Sequence, residues 1–279
     1  MAIGAWEPLW LDEPSRCLYA AIHPAAPGAF PGALPGVLIV PPLLHEQPRS
    51  RRFVTEVASG LAAIGMPCLR FDFFGTGDSD GTGDQLDFAS MHRDLDLANA
   101  VLRARTGVDA VVVLGWRAAA LPLRDWLRDR RSANLLVLWE PLADGQRWLV
   151  DIEREDAIQR SQRPRPRPGV ARLTDLDDGQ LMGFAASSRL RRDLAQTRLA
   201  ADPHPPGVPT WAVLHPQAPS LPIEVARTFL LPPAIPTFTG GTDMEATFFL
   251  SPLLERVVNE LGRALVDELG RALLEQEFR

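Results

Sequence analysis

Gly115-Trp116-Arg117-Ala118-Ala119 closes the most apolar strand-like run of the chain, VDAVVVLGW at 108–116, and opens a helical run behind it. A tight strand-to-helix turn of the form G-x-S-x-G lifts one side chain above a sheet as a strained nucleophile. The small residues Gly115 and Ala119 suit such a turn, but the lifted position holds Arg117. A guanidinium stays protonated at any useful pH and cannot attack a carbonyl. It can grip a carboxylate or phosphate through two parallel hydrogen bonds. The turn therefore offers anion binding, or else it is an ordinary junction with a solvated arginine.

Two further loops carry polar chemistry. PPLLHEQPRSRR, 41–52, brings His45 and Glu46 beside Arg49, Arg51 and Arg52. This reads either as a solvated basic helix start or as an anion-binding rim. FDFFGTGDSDG, 71–81, places Asp72 before Gly75, Gly77, Asp78 and Ser79. Asp78, Asp80 and Asp84 would repel a phosphate at a glycine-rich turn. No Glu stands at the twelfth position that a calcium loop needs. A structural turn is expected, with Ser79 or Asp80 lining a cleft as the other reading. Cys17 and Cys68 lie in apolar runs without CxxC or metal spacing, so they read as buried free thiols. No metal and no cofactor are expected.

The elements that must position these loops alternate in type. Residues 5–24 read as one or two edge strands. GVLIVPP (36–42), MPCLRFDF (66–73), VDAVVVLGW (108–116), NLLVLWEP (134–141) and VPTWAVLHP (208–216) read as buried strands. Helical patterns separate them at 54–65, about 87–105 and 117–131. Residues 143–207 break the alternation, with a loop at 160–172 and a helix over 181–200. PIEVARTFL reads as a short helix, AIPTFTG (234–240) as a last strand, and the stretch from Ser251 onward as a long amphipathic helix. Strands alternating with helices make a parallel sheet covered on both faces, with sites beyond the carboxyl ends of the strands.

At 279 residues, the chain can bury a large core without disulfides or metal. A net charge of -6 argues against nucleic acid or an anionic membrane surface as the main partner. The first residues lack a basic segment followed by a long apolar one, and no run of about 18 apolar residues occurs, so a cytoplasmic protein with no membrane span is expected. ELGRAL occurs twice, at 260–265 and 268–273. That helix either packs on the sheet or joins two copies in a homodimer.

PPLLHEQPRSRR, CLRFDFFGTGDSDG, VVVLGWRAAA, VLWEPLADGQRWL and GQLMGFAASSRLRRDL, in this order, resemble the α/β-hydrolase superfamily in its serine-aminopeptidase-like branch. They are most similar to the exosortase A system-associated hydrolases of the second type. The likeness covers roughly 36–200. It implies an α/β-hydrolase core over 1–142 and 208–279, a small cap inserted at 143–207, a cleft beneath it, and a setting of exopolysaccharide and protein-sorting systems. In this fold the loop after the 36–40 strand gives an oxyanion-hole N–H, which places His45 and Glu46 beside the cleft. It also implies that Arg117 is a feature of the branch.

The triad does not carry over. The nucleophile position is Arg117, HPQAPSLP holds no carboxylate where the acid would stand, and no His follows His215. Two readings result. One is a non-catalytic protein that binds a small anionic or acyl ligand, or a protein partner, through Leu44, His45, Glu46, Trp116, Arg117 and Ala118. The other is a divergent hydrolase or acyltransferase using His45, Glu46, Glu140 and His215. Clustering of those four around the turn would favour the second reading.

Overall fold

A computed structural model describes residues 6–27, 34–128, 133–162, 179–200, 208–235 and 250–277, with side chains to 269 in the last segment. Alternating edge positions build β1 (Glu7–Glu13) and β2 (Arg16–His23) as an antiparallel hairpin. The continuous apolar runs become β3 (Gly36–Val40), β4 (Cys68–Phe71), β5 (Val111–Trp116), β6 (Leu135–Trp139) and β9 (Thr210–Leu214), nearly all buried. Strands covered on both faces read as unbroken hydrophobic runs, which is why they were legible.

With β10 (Arg227–Leu230) they form an eight-stranded sheet in the order β1-β2-β4-β3-β5-β6-β9-β10. The β1–β2 and β2–β4 pairs are antiparallel, and the others are parallel. The expected α/β-hydrolase architecture is therefore present. One face packs on α1 (Glu46–Ile64) and α6 (Pro252–Glu277). The other packs on α2 (Phe88–Thr106), α3 (Ala120–Arg128), α4 (Gly145–Gln162) and α5 (Ser188–Gln196).

Several boundaries differ from the sequence reading. α1 begins at Glu46, because Pro48 falls in the first turn, where a missing N–H costs nothing. PIEVARTFL is not a helix: its second half is β10, which takes its backbone partners from β9 at the sheet edge. An unpaired sheet edge outweighs a weak local helical pattern. The helix expected over 181–200 is confined to α5. Before it the chain makes a two-stranded hairpin, β7 (Gln180–Leu181) and β8 (Phe184–Ala185). Gly183 takes φ 82° in that turn, a conformation glycine adopts at no steric cost. The strand expected at 234–240 and most of the loop at 160–172 lie outside the described residues. Cys68 is buried, whereas Cys17 is only half-buried; both are free thiols.

The glycine–aspartate loop is a structural turn. Asp72 accepts from Gln47 Nε2 at 2.9 Å, from Arg51 Nη2 at 2.5 Å and from the Asp78 N–H at 3.0 Å. A side chain at Gly77 would place its Cβ 2.1 Å from Asp72 Oδ2, so only glycine fits. Ser79 donates to the Asp72 carbonyl at 2.6 Å and accepts from the Tyr19 N–H at 2.9 Å. Replacing Asp72 with Ala strands buried donors, so a loss of about 2–3 kcal/mol is expected. Urea denaturation checks this, and a change below about 0.5 kcal/mol would show the turn to be held otherwise.

Among the described residues no helix is long and apolar enough to cross a membrane, and no group of His, Cys, Asp and Glu could hold a metal ion.

Candidate functional site

The turn after β5 has the strained geometry of a nucleophile elbow. Arg117 adopts φ 51°, in the left-handed region that non-glycine residues rarely enter. Gly115 leaves room beneath it: a Cβ there would lie 2.3 Å from Leu123 Cδ1, so the leucine side chain would have to shift. The backbone strain of a catalytic turn is thus present without a nucleophile. Such strain persists only where surrounding packing over-determines it. Here Trp116 is part of that packing: its ring stacks on Trp139 at 5.0 Å and meets Phe53 edge-on at 5.3 Å.

The Arg117 side chain is buried at 5% exposure, and it is met by a carboxylate of its own chain. Nε and Nη2 donate to the same oxygen, Glu46 Oε1, at 3.3 and 3.2 Å, while Nη1 donates to the Glu140 carbonyl at 3.2 Å. Glu46 is brought there by the start of α1, directly after His45 and two residues after Leu44, itself at φ 53°. The grip is not the two-oxygen fork of a strong guanidinium–carboxylate pair, whose distances run about 2.7–2.9 Å. Glu46 Oε2 is left buried with no hydrogen-bond partner, as are His45 Nδ1 and Trp116 Nε1.

The other expected side chains are coupled electrostatically to this pair or to one another. Glu140 also takes a left-handed φ, 42°, directly after β6. Burial raises its carboxyl pKa above the ordinary range; Arg117 and His215 pull it back, and Glu46 pushes it further up. Burial lowers the His45 imidazole; Glu46 opposes this, Arg49 and Arg117 add to it, and Glu155 of α4 opposes it. His215 follows β9, and its Nε2 lies 3.1 Å from the Ile235 carbonyl. So Glu46, Glu140 and His45 share one electrostatic neighbourhood with Arg117, and His215 joins it through Glu140. None of them is a hydroxyl or thiol.

The remaining positions sort differently. Ala118 and Trp116 are fully buried, Trp116 on the α1–α6 face of the sheet. Arg51 and Arg52 do not form a free anion-binding rim: Arg51 is held by Asp72 and Asp78, and Arg52 by Glu56 at 2.9 Å. Sequence reasoning missed Glu155, because only the docking of α4 brings it near His45.

A small apolar cavity of about 160 Å³ opens beside Leu44, lined by Leu86, Phe184 and Ala185 and closed by the glycine turn. Of the described part of 143–207, the β7–β8 hairpin reaches this corner. The hairpin is tied down by Asp156, which accepts from the Met182 N–H at 3.0 Å and from Arg160 Nε at 2.6 Å.

No family model and no curated protein matches the chain. Solved structures do. Est1E from Butyrivibrio proteoclasticus, with ferulic acid bound, superposes with TM-score 0.62 at 16% identity, covering 93% of this chain and 99% of that chain. Alpha/beta hydrolase domain-containing protein 10 from mouse gives TM-score 0.59 at 14% identity, covering 94% and 99%. A soluble variant of monoglyceride lipase from Saccharomyces cerevisiae, in complex with a substrate analog, gives TM-score 0.59 at 12% identity, covering 93% and 94%. At these identities the likeness is one of fold.

Proposed function

We propose that this chain, which has the α/β-hydrolase fold, is a non-catalytic member of that architecture that binds an anionic ligand at the elbow beneath a cap formed by 143–207. One observation carries the reading: the strained nucleophile position holds a buried guanidinium, engaged by Glu46 and the Glu140 carbonyl. Glu46 is the built-in stand-in for the ligand. It engages Arg117 through one oxygen at 3.2–3.3 Å, so an incoming carboxylate or phosphate able to offer two oxygens would bind better. The orphaned Glu46 Oε2 fits a pair that is made to be exchanged. The resemblance to exosortase-associated hydrolases supports a setting in exopolysaccharide or protein-sorting systems, with a protein partner as an alternative occupant.

A second reading rests on the gathering of Glu140, His215, Glu46 and His45. Glu140, with its raised pKa, is suited to general-base work on water during ester cleavage or acyl transfer.

Hydrolysis of short p-nitrophenyl esters by wild type, Arg117→Ser and Glu140→Gln separates the two readings. The first expects background rates from all three, since Arg117 is no nucleophile and a serine introduced alone does not supply the oriented base that activates it. Wild-type turnover above background that Glu140→Gln removes would establish the second reading instead.

A further inference from the structure

A second cavity, of about 550 Å³, lies away from the elbow, between the β1–β2 hairpin, the start of α2 and the start of α5. Its size is that of a small-molecule site, for which about 300–1,000 Å³ is usual. None of the elbow residues lines it.

Its floor is a fixed guanidinium. Arg16 is ion-paired with Asp94, which is fully buried, donates to Ser90 Oγ at 3.2 Å, and lies over the Phe74 ring with 4.2 Å to its centroid. The Arg16 side chain is only 12% exposed, so its orientation is set before any ligand arrives. Two further guanidiniums stand at the rim, Arg93 on α2 and Arg189 on α5, both exposed. Arg189 Nη1 approaches Asp87 Oδ2 only to 3.9 Å. A preset arginine beneath two movable ones suits a group with several anionic oxygens. Asp84, Asp87 and Gln85 share the lining. Asp87 spends Oδ1 on the Ser90 N–H at 2.7 Å as the cap of α2. A bare inorganic anion would face the two carboxylates unfavourably; a ligand that also carries hydroxyls would satisfy them.

We infer that this cavity binds a small polyol bearing one oxyanion, a phosphate or a carboxylate, with Arg93 and Arg189 on the oxyanion and Asp84 and Gln85 on the hydroxyls.

The test is isothermal titration of the full chain at constant ionic strength with glucose 6-phosphate, gluconate, inorganic phosphate and glucose. Binding of glucose 6-phosphate or gluconate is expected, tighter than inorganic phosphate or glucose, and which of the two binds identifies the oxyanion. Arg93→Gln combined with Arg189→Gln touches exposed side chains only and should weaken binding by about tenfold or more. Asp84→Asn should weaken the polyol ligands and not inorganic phosphate. Absence of binding by both polyol ligands, or affinity unchanged in the double variant, overturns the assignment.

Discussion

Arg117→Leu is expected to destabilise the chain by about 3–5 kcal/mol, because it strands the Glu46 carboxylate in a buried site. Glu46 is 2% exposed, and Arg117 is the cation it contacts there. Glu46→Leu should cost less, because Arg117 keeps the Glu140 carbonyl as an acceptor. Arg117→Leu together with Glu46→Leu should recover most of the loss, since a buried pair replaced by apolar groups of similar size is often neutral. Urea denaturation of the four proteins closes the cycle. The strain at φ 51° remains in each variant and drops out of the comparison. A double variant as unstable as the sum of the singles would show that the two residues act independently. The stand-in role of Glu46 would then have no energetic basis.

Between about pH 4 and 6 the pH dependence of stability should tilt in opposite directions, relative to wild type, when either of two buried groups is replaced. His23 is fully buried, and burial with the nearby Arg70 guanidinium lowers its pKa to about 4. The unfolded chain, with an ordinary histidine, takes up its proton first as pH falls. The contribution of His23 is therefore intact above about pH 6.5 and is lost towards pH 4, by about 3 kcal/mol. Asp94 runs the other way. Burial raises its carboxyl to about 6 despite Arg16 and the Phe74 N–H. The folded chain holds that proton more tightly, so its contribution is full below about pH 4 and is lost as pH rises through 6, again by about 3 kcal/mol. In wild type these two contributions oppose one another. His23→Gln should leave stability falling as pH rises from 4 to 6, and Asp94→Asn should leave it falling as pH drops from 6.5 to 4. Unfolding free energies at four pH values read the slopes, whatever the absolute cost of each change. Parallel slopes in all three proteins would refute the assignment.

His23 also shows why proximity of residue types is not chemistry. Ser59 Oγ lies 3.2 Å from His23 Nδ1, which resembles a nucleophile beside a base. Arg70 Nε donates to His23 Nε2 at 3.3 Å, so the ring proton sits on Nδ1 and Ser59 accepts it. The imidazole has no free lone pair for the serine.

The buried strands, most of the helices and the elbow were legible from residue types and spacing. Strands covered on both faces must be continuous apolar runs, and Gly115 and Ala119 are small residues at the spacing of a tight strand-to-helix turn. The sequence also determined that the lifted position carries no nucleophile, because that depends on residue type alone. What Arg117 touches depends on long-range docking. Its partner is 71 residues away, and the pairing depends on where the start of α1 lands over the carboxyl end of the sheet. The strand β10 and the hairpin at 180–185 were equally hidden, since their backbone partners come from elements far apart or from a turn with no strong local pattern. The Arg16–Asp94 pair, 78 residues apart, follows the same rule. Local periodicity encodes which face is buried; long-range docking decides which charges meet there.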